Sequence, residues 1–472
     1  MRTVGLMILG LMASLGGTVQ AAAVLYEGER LIVDARRPPI DPGAILVENG
    51  KITKMGKMGT VPFPPDVVRV DWTGKVVMPA LIDTHIHIGY QNADLKDASY
   101  AAGNYTRENL NDQLRRYAYA GVALVMSLGT DPGMLPFQIQ TQQDLRGGTQ
   151  LRLAGRGMAA PDAGPGDAAL KPSAYSLTSV EEARKAVRDE VAKKVDFIKV
   201  WVDDRNGAVK KTPPEIYRAI IQEAHKANTR VIAHVFYLDD AKDLVRSGID
   251  GFAHLVRDQE VDEEFIALVK QRNIFLKPNM GIAALRTETN PAFLNDQLYR
   301  DVTPEPIINR VRAAAAARTP EALDAARRTY AILRANLAKL NAAGARIGFG
   351  TDSGAVPDYY HAYNAHRELQ LMVEAGMTPQ QALTAATATS AEFLRGAALG
   401  TLNPNRSADF LVLDADPLED IRNTERISAV YLRGVEVDRK TPPGSVVPKA
   451  APAKPTSPTP APAKPAQATR KK

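Results

Sequence analysis

Between residues 76 and 354, apolar runs of strand length alternate with amphipathic helical stretches, and this alternation constrains the fold more than any other feature. Short apolar runs each followed by a helical period are the pattern of repeated βα units around a parallel sheet. Eight runs are legible: VVMPALIDTHIHI (76–88), VALVMSLGT (122–130), LRLAGRG (151–157), DFIKVWVDD (196–204), RVIAHVF (230–236), GFAHLV (251–256), IFLKPNM (274–280) and RIGFGTDSG (346–354). Eight strands with helices between them predict an α/β fold, a (β/α)8 TIM barrel over residues 79–395, rather than an open sheet. The helices carry start signals: Thr178 or Ser179 before VEEARKAVRDEVAKK, Thr212-Pro213-Pro214 before EIYRAIIQEAHKAN, and Asp262 before the acids that open FIALVKQRN. The segment 280–319, after the seventh strand, is longer than a barrel loop needs and is a candidate lid.

Both ends of this region have a different texture. Residues 24–78 hold short alternating segments, with Asn49-Gly50 between apolar runs as a hairpin signal. Residues 396–440 repeat that texture, with an Arg-Gly turn at 433–434. The two patches are expected to pair into one small β-sandwich. Outside them, residues 1–23 run from Met-Arg-Thr through an apolar stretch (Val4 to Gly17) to Ala-Ala-Ala, the order of a secretory signal peptide. About 14 apolar residues fall short of the ~20 that span a membrane, so the leader reads as cleaved, with no transmembrane anchor left, and the protein as secreted or periplasmic. Residues 441–472 are rich in Pro, Ala and Lys and read as a disordered tail.

Charge excludes one class of function. The net charge of +6 is accounted for by Arg2 in the leader and by the tail, which holds six basic residues and no acid. The folded body is therefore close to neutral, which argues against nucleic acid as a partner. With no cysteine in the chain, disulfides and thiolate-held zinc are excluded. Any metal ligands must be His, carboxylate or modified Lys.

Only seven histidines are present, and four of them, His85, His87, His234 and His254, fall in predicted strands one, five and six. His85 and His87 are two apart on a strand and share a face. Alone, that pair fits a core or surface role equally well. Four imidazoles converging on one barrel mouth form a metal site. His225 and His366 read as solvated helix residues, while His361 follows strand eight and can line the pocket. Asp352, in GFGTDSG, can bind a metal and take a proton from an attacking water, or merely cap the next helix. Lys199 lies mid-strand among apolar neighbours, which is costly unless compensated. Either it pairs with a nearby acid, or as a neutral amine it takes up carbon dioxide to form a carbamate able to bridge two cations.

MPALIDTHIH, FIKVWV, IAHVF, GFAHL and GFGTDSG, in this order, resemble the strand motifs of the amidohydrolase superfamily, and the resemblance covers residues 24–440. NAHRELQLMVEAGMTPQQALTAATATSAEFL and SADFLVLDADPLEDI are similar to the prolidase-like and imidazolonepropionase-like branch. The resemblance implies two divalent ions, zinc as the usual metal: His85, His87 and Asp352 on the first, His234 and His254 on the second, with carboxylated Lys199 bridging both. It further implies a bridging hydroxide as nucleophile and Asp352 as the catalytic proton carrier. Members that deaminate usually lack the strand-four lysine, so Lys199 favours hydrolysis of an amide, ester or lactone.

The expected activity is cleavage of amide bonds in short peptides or N-acyl amino acids. An esterase, lactonase or phosphotriesterase on the same metals is the alternative, and a non-catalytic binding protein a remote one. By strand alternation Asp203 shares the face of Lys199 and is expected to meet a cationic substrate group; Tyr237 is expected to bond the developing oxyanion, and Arg257 to hold a substrate carboxylate. The partner is a small molecule or short peptide, and a homo-oligomer is compatible with the chain.

Overall fold

The computed structural model describes residues 23–92, 98–142, 148–395 and 398–445. The expected signal peptide, apart from Ala23, and the expected tail beyond residue 445 lie outside them.

Strand–helix alternation of TIM-barrel type runs through the middle of the chain. Leu81–Ile86, Val122–Ser127 and Gln150–Leu153 form one parallel ladder. A second parallel ladder orders Tyr175–Ser176, Met158–Ala159, Phe197–Val202, Arg230–Val235, Gly251–Phe252 and Phe275–Leu276. Single parallel bridges, Leu276 to Ile347 and Ile86 to Ser353, tie segment 346–354 to both ladders. That segment, read from sequence as an eighth strand, is therefore irregular backbone with two bridges. Its glycines serve close approach: a Cβ on Gly350 would lie 2.8 Å from the His85 Cβ.

The run 76–88 is two strands rather than one. Val76–Pro79 pairs antiparallel with Phe410–Leu413, while Leu81–Ile86 pairs parallel with Val122–Ser127. The change of partner falls at Ala80, whose N–H goes to the Asp409 carbonyl at 3.1 Å while that of Leu81 goes to Gly121 at 3.0 Å. Both partners demand an extended, apolar chain, so periodicity could not separate them.

Strands from the two chain ends interleave. Val24–Glu27, Gly43–Glu48, Lys51–Lys57 and Val68–Asp71 make a four-stranded sheet, and Val76–Pro79 and Arg30–Leu31 join Phe410–Leu413, Ile427–Leu432 and Val435–Glu436 in a five-stranded one. Asn49-Gly50 (φ 52° and 75°) and Arg433-Gly434 (φ 50° and 73°) sit in left-handed backbone, as two-residue hairpin turns require. Tyr26, Ile45, Val77, Phe410 and Val412 share one apolar cluster, against which Trp72 stacks on Tyr26 at 4.3 Å between ring centroids.

Helices shield the parallel strands. Ser179 caps Val180–Ala192 in a reciprocal box with Glu182, and Asp262 caps Glu263–Gln271. Pro214–Lys226 starts at its prolines, with no side-chain cap. Segment 280–319 is mostly helical, with Gly281–Leu285, Gln297–Val302 and Glu305–Ala316, and leads into the long helix Pro320–Ala342. Among the described residues no helix is long and apolar enough to cross a membrane.

Candidate metal centre

His85 sits near the end of the strand Leu81–Ile86, His234 on Arg230–Val235, Lys199 on Phe197–Val202, and His87 and His254 lie just past their strands. All of them, with Asp352, line one cavity of about 770 Å³. The ring centroids of His85 and His87 are 5.2 Å apart, those of His85 and His254 5.1 Å, and those of His234 and His254 4.6 Å. One carboxylate oxygen of Asp352 lies 3.1 Å from Nε2 of both His85 and His87, and the other 3.9 Å from His254 Nε2. Asp352 is held in left-handed backbone at φ 63°, with its N–H bonded to the His85 carbonyl at 2.7 Å. Such strain in a non-glycine residue persists where the surroundings over-determine it, and clusters at functional sites.

The outer nitrogens of two imidazoles are occupied from behind. His85 Nδ1 lies 3.2 Å from the Ala253 carbonyl, and His87 Nδ1 2.8 Å from Thr130 Oγ1. A proton on Nδ1 of His87 satisfies the Thr130 contact and leaves its Nε2 lone pair facing the cavity. Burial holds His85, His234 and His254 well below the ordinary histidine range; the next influences are Lys199 on His85, Arg205 on His234 and His234 on His254. Neutral imidazole is the form that ligates metals.

Lys199 is fully buried and its Nζ has no hydrogen-bond partner. Desolvation pulls its pKa down to about 7, against the opposing pull of Asp352. Gly129 makes room for it, since a Cβ there would lie 2.7 Å from Lys199 Cγ. His85 Nε2 and Asp352 Oδ1 are likewise buried without a hydrogen bond. Ligand atoms of His85, His254 and Asp352 all lie within 4.8 Å of one another. Unsatisfied imidazole nitrogen and carboxylate oxygen at this spacing are donors that suit a divalent transition ion.

Residues that sequence reasoning missed hold this cluster in place. Asp83, buried, accepts from the N–H groups of His85 and Thr351, both at 3.1 Å, and from Thr351 Oγ1 at 2.6 Å. Its pKa is pushed up to about 7 by burial. Lys277 donates to the Thr84 carbonyl at 2.9 Å. It sits in an apolar run as Lys199 does, so the same signal could have found it. Asn279, at φ 47°, puts its amide nitrogen against Nδ1 of His85 and 3.5 Å from Nδ1 of His254. Glu368 accepts from Met280 and Gly281 N–H groups at 2.9 and 3.0 Å, and burial raises its pKa to about 8. Neither Asn279 nor Glu368 has a local sequence signal.

Asp203 lines the cavity, where it meets His234 Nε2 at 3.0 Å, and Arg205 folds back on it through its N–H (2.9 Å) and guanidinium (3.1 Å). Tyr237 lies outside the cavity lining and donates to Asp204 at 2.7 Å. One expectation needs correction: His366, read as solvated, is fully buried, bonded to the Ala120 carbonyl at 2.8 Å and 3.1 Å from Thr424 Oγ1, because its helix packs its first turn inward. His225 is on the surface as expected, paired with Asp250 at 2.8 Å. His361 lies behind the cavity wall, 3.2 Å from the Tyr117 hydroxyl, and Arg257 lines the cavity.

Comparison with known proteins agrees with this geometry. An uncharacterized protein of Mycobacterium tuberculosis is 26% identical over 368 residues, which cover 76% of this chain and 85% of that one. Ochratoxinase of Aspergillus niger is 27% identical over 260 residues, 53% of this chain and 47% of the relative. Its crystal structure superposes with a TM-score of 0.69 at 20% identity, covering 90% and 99% of the two chains. A Bifidobacterium longum structure proposed to be a prolidase has a TM-score of 0.71 and 26% identity, covering 90% and 96%. The profile described as "Amidohydrolase family" matches residues 76–437. With that match over most of its length, and the histidine and aspartate cluster at the strand ends, the chain belongs to the amidohydrolase family and is a hydrolase.

Proposed function

We propose that this hydrolase holds two divalent ions, zinc by donor chemistry, and cleaves amide bonds in small peptides or N-acyl amino acids. The observation that carries the reading is Lys199: a buried amine with no partner, facing a cavity lined by four imidazoles and Asp352. As an ammonium it would repel any cation there. As a neutral amine it loses a proton and forms an N–C bond to carbon dioxide, and the resulting carbamate satisfies the orphaned position with an anion. In this reading His85, His87 and Asp352 would hold one ion, His234 and His254 the other, and carboxylated Lys199 would supply a ligand to both. The chemistry such ions supply is polarisation of a carbonyl and acidification of a water. Asp352 takes a proton at its carboxylate and returns it to the leaving nitrogen, and the surrounding cavity wall limits competing water.

The same reading takes the strand–helix alternation as a closed (β/α)8 barrel over residues 79–395, and the interleaved terminal sheets as a small β-sandwich from residues 24–78 and 396–440. The bridges at Ile347 and Ser353 and the shared cluster around Phe410 support it. Residues 1–23 are then a cleaved leader, and the enzyme works in the periplasm or outside the cell.

The test is metal analysis of the purified chain followed by a mass-spectrometric screen of N-acyl amino acids, dipeptides, esters and lactones. About two ions per chain and turnover of amides are expected. A protein without bound metal after metal-replete preparation, or one that turns over only esters and lactones, would overturn the proposal.

A further inference from the structure

His87 and His234 are held from behind by opposite edges of their rings. In His87 the held nitrogen is Nδ1, 2.8 Å from Thr130 Oγ1, whereas in His234 it is Nε2, 3.0 Å from Asp203 Oδ2. Among the described residues Nδ1 of His234 makes no hydrogen bond. A hydroxyl such as that of Thr130 can donate or accept, but a carboxylate accepts only. The Asp203 contact therefore puts the ring proton of His234 on Nε2 and the lone pair on Nδ1. That ring lines the cavity, with its centroid 4.6 Å from that of His254.

Asp203 is itself fixed in place. It follows Phe197–Val202 directly, in a register that sets Trp201 beside His234 on the next strand. The Arg205 N–H donates to Oδ1 at 2.9 Å and its Nη1 to Oδ2 at 3.1 Å, while its Nη2 donates to the Gly164 carbonyl. With both oxygens already accepting from Arg205, the acid meets His234 as an acceptor too. Arg205, Asn206 and Gly207 are all in left-handed backbone, at φ 55°, 58° and 83°, and this reversal turns Arg205 back over the carboxylate. Two successive non-glycine residues in that region are strained, and such strain persists where the surroundings over-determine it.

We infer that Asp203 is a positioning residue for the second ion: it accepts from His234 Nε2–H, so that Nδ1 of this ring, and not Nε2, is the nitrogen offered to the metal, and Arg205 holds Asp203 in that contact. The inference rests on the two-ion reading above and assigns within it an acid that acts through a ligand. A carboxylate behind a ligating imidazole fixes the ring's orientation and tautomer and makes its free nitrogen more basic.

The purified chain is titrated with zinc against a competing chelator, as wild type, Asp203→Ala and Asp203→Asn. Asp203→Ala is expected to bind one of the two ions about ten- to a hundredfold more weakly and the other unchanged. A smaller loss is expected in Asp203→Asn, whose amide oxygen still accepts. Unchanged affinity for both ions overturns the inference, as does a change in KM alone with both ions retained, which would put Asp203 on the substrate. A misfolded variant would also lose metal, so side-chain nitrogen NMR of the wild type supplies a second measurement. The chain has seven histidines, and His234→Gln identifies the signals of His234. In zinc-loaded protein Nε2 of His234 is expected to carry the proton and Nδ1 to show the shift of a ligating nitrogen. Zinc on Nε2, the result if Asp203 and His234 were ligands side by side, overturns the inference. If the wild type binds no metal, the two-ion reading falls, and the metal-free spectrum decides the contact by itself: a proton on Nε2 of His234 supports it, and a proton on Nδ1 overturns it.

Discussion

Lys199 and Lys277 are both fully buried in the strand region, and they differ in one contact. Lys277 gives its amine a carbonyl, that of Thr84 at 2.9 Å, while Lys199 has none. Desolvating a charge without a partner costs several kcal/mol, so the lysine left alone is the one suited to chemical modification. Lys199→Ala is expected to lose at least half of the bound metal and to lower kcat by about a hundredfold or more, with part of both restored by formate or acetate. Metal analysis and steady-state kinetics check it, and a full metal complement in the variant would sink the bridging role. Sequence placed this residue correctly among apolar neighbours and kept a paired lysine as the alternative. Strand alternation gives the face of a side chain, whereas Arg205 and Asp204, three and two residues beyond Val202, decide what Asp203 and Tyr237 touch.

Elements were legible where their ends carry their own chemistry. Ser179 accepts from the Glu182 N–H at 3.2 Å, and Glu182 accepts from the N–H groups of Thr178 and Ser179 at 2.7 and 3.2 Å. These partners are within four residues, so the signal is local and survives without the rest of the fold. Ser179→Ala is expected to cost about 1 kcal/mol, read as a lower urea midpoint with unchanged slope and unchanged metal content. The strand ends were less legible. VVMPALIDTHIHI reads as one strand and is two, since Ala80 marks only where the pairing partner changes from Phe410–Leu413 to Val122–Ser127. In GFGTDSG the glycines exclude side chains near His85, and the backbone there follows the close packing rather than a ladder.

Across the whole molecule, burial of acids sets how stability answers to pH. Glu29 is fully buried beside the interleaved terminal sheets, and its carboxylate meets no donor from another residue. Burial raises its pKa from 4.5 to about 7, with Glu27 and Asp71 adding to the rise and its own N–H opposing it. The folded chain therefore keeps a proton that the unfolded chain releases above pH 4.5, and stability falls as pH rises from there to about 7. Glu29→Gln removes that dependence: its melting temperature is expected to exceed the wild type's by about a few degrees at pH 8, and by less at pH 5. Equal differences at the two values would show that Glu29 is already ionised in the folded chain. Acids and bases of this kind divide what each level of description determined. The sequence by itself determined the βα alternation, the hairpin turns at Asn49-Gly50 and Arg433-Gly434, the helix caps, and the clustering of scarce histidines on strands, because each depends on periodicity or on partners a few residues away. Only the tertiary structure decided that Asn279 meets the histidine cluster, that Glu368 holds the backbone at Met280 and Gly281, and that Arg205 takes Asp203. Those outcomes depend on which charges meet across the cavity once water has been removed, and residues brought together from tens to hundreds of positions apart leave no local pattern from which to read them.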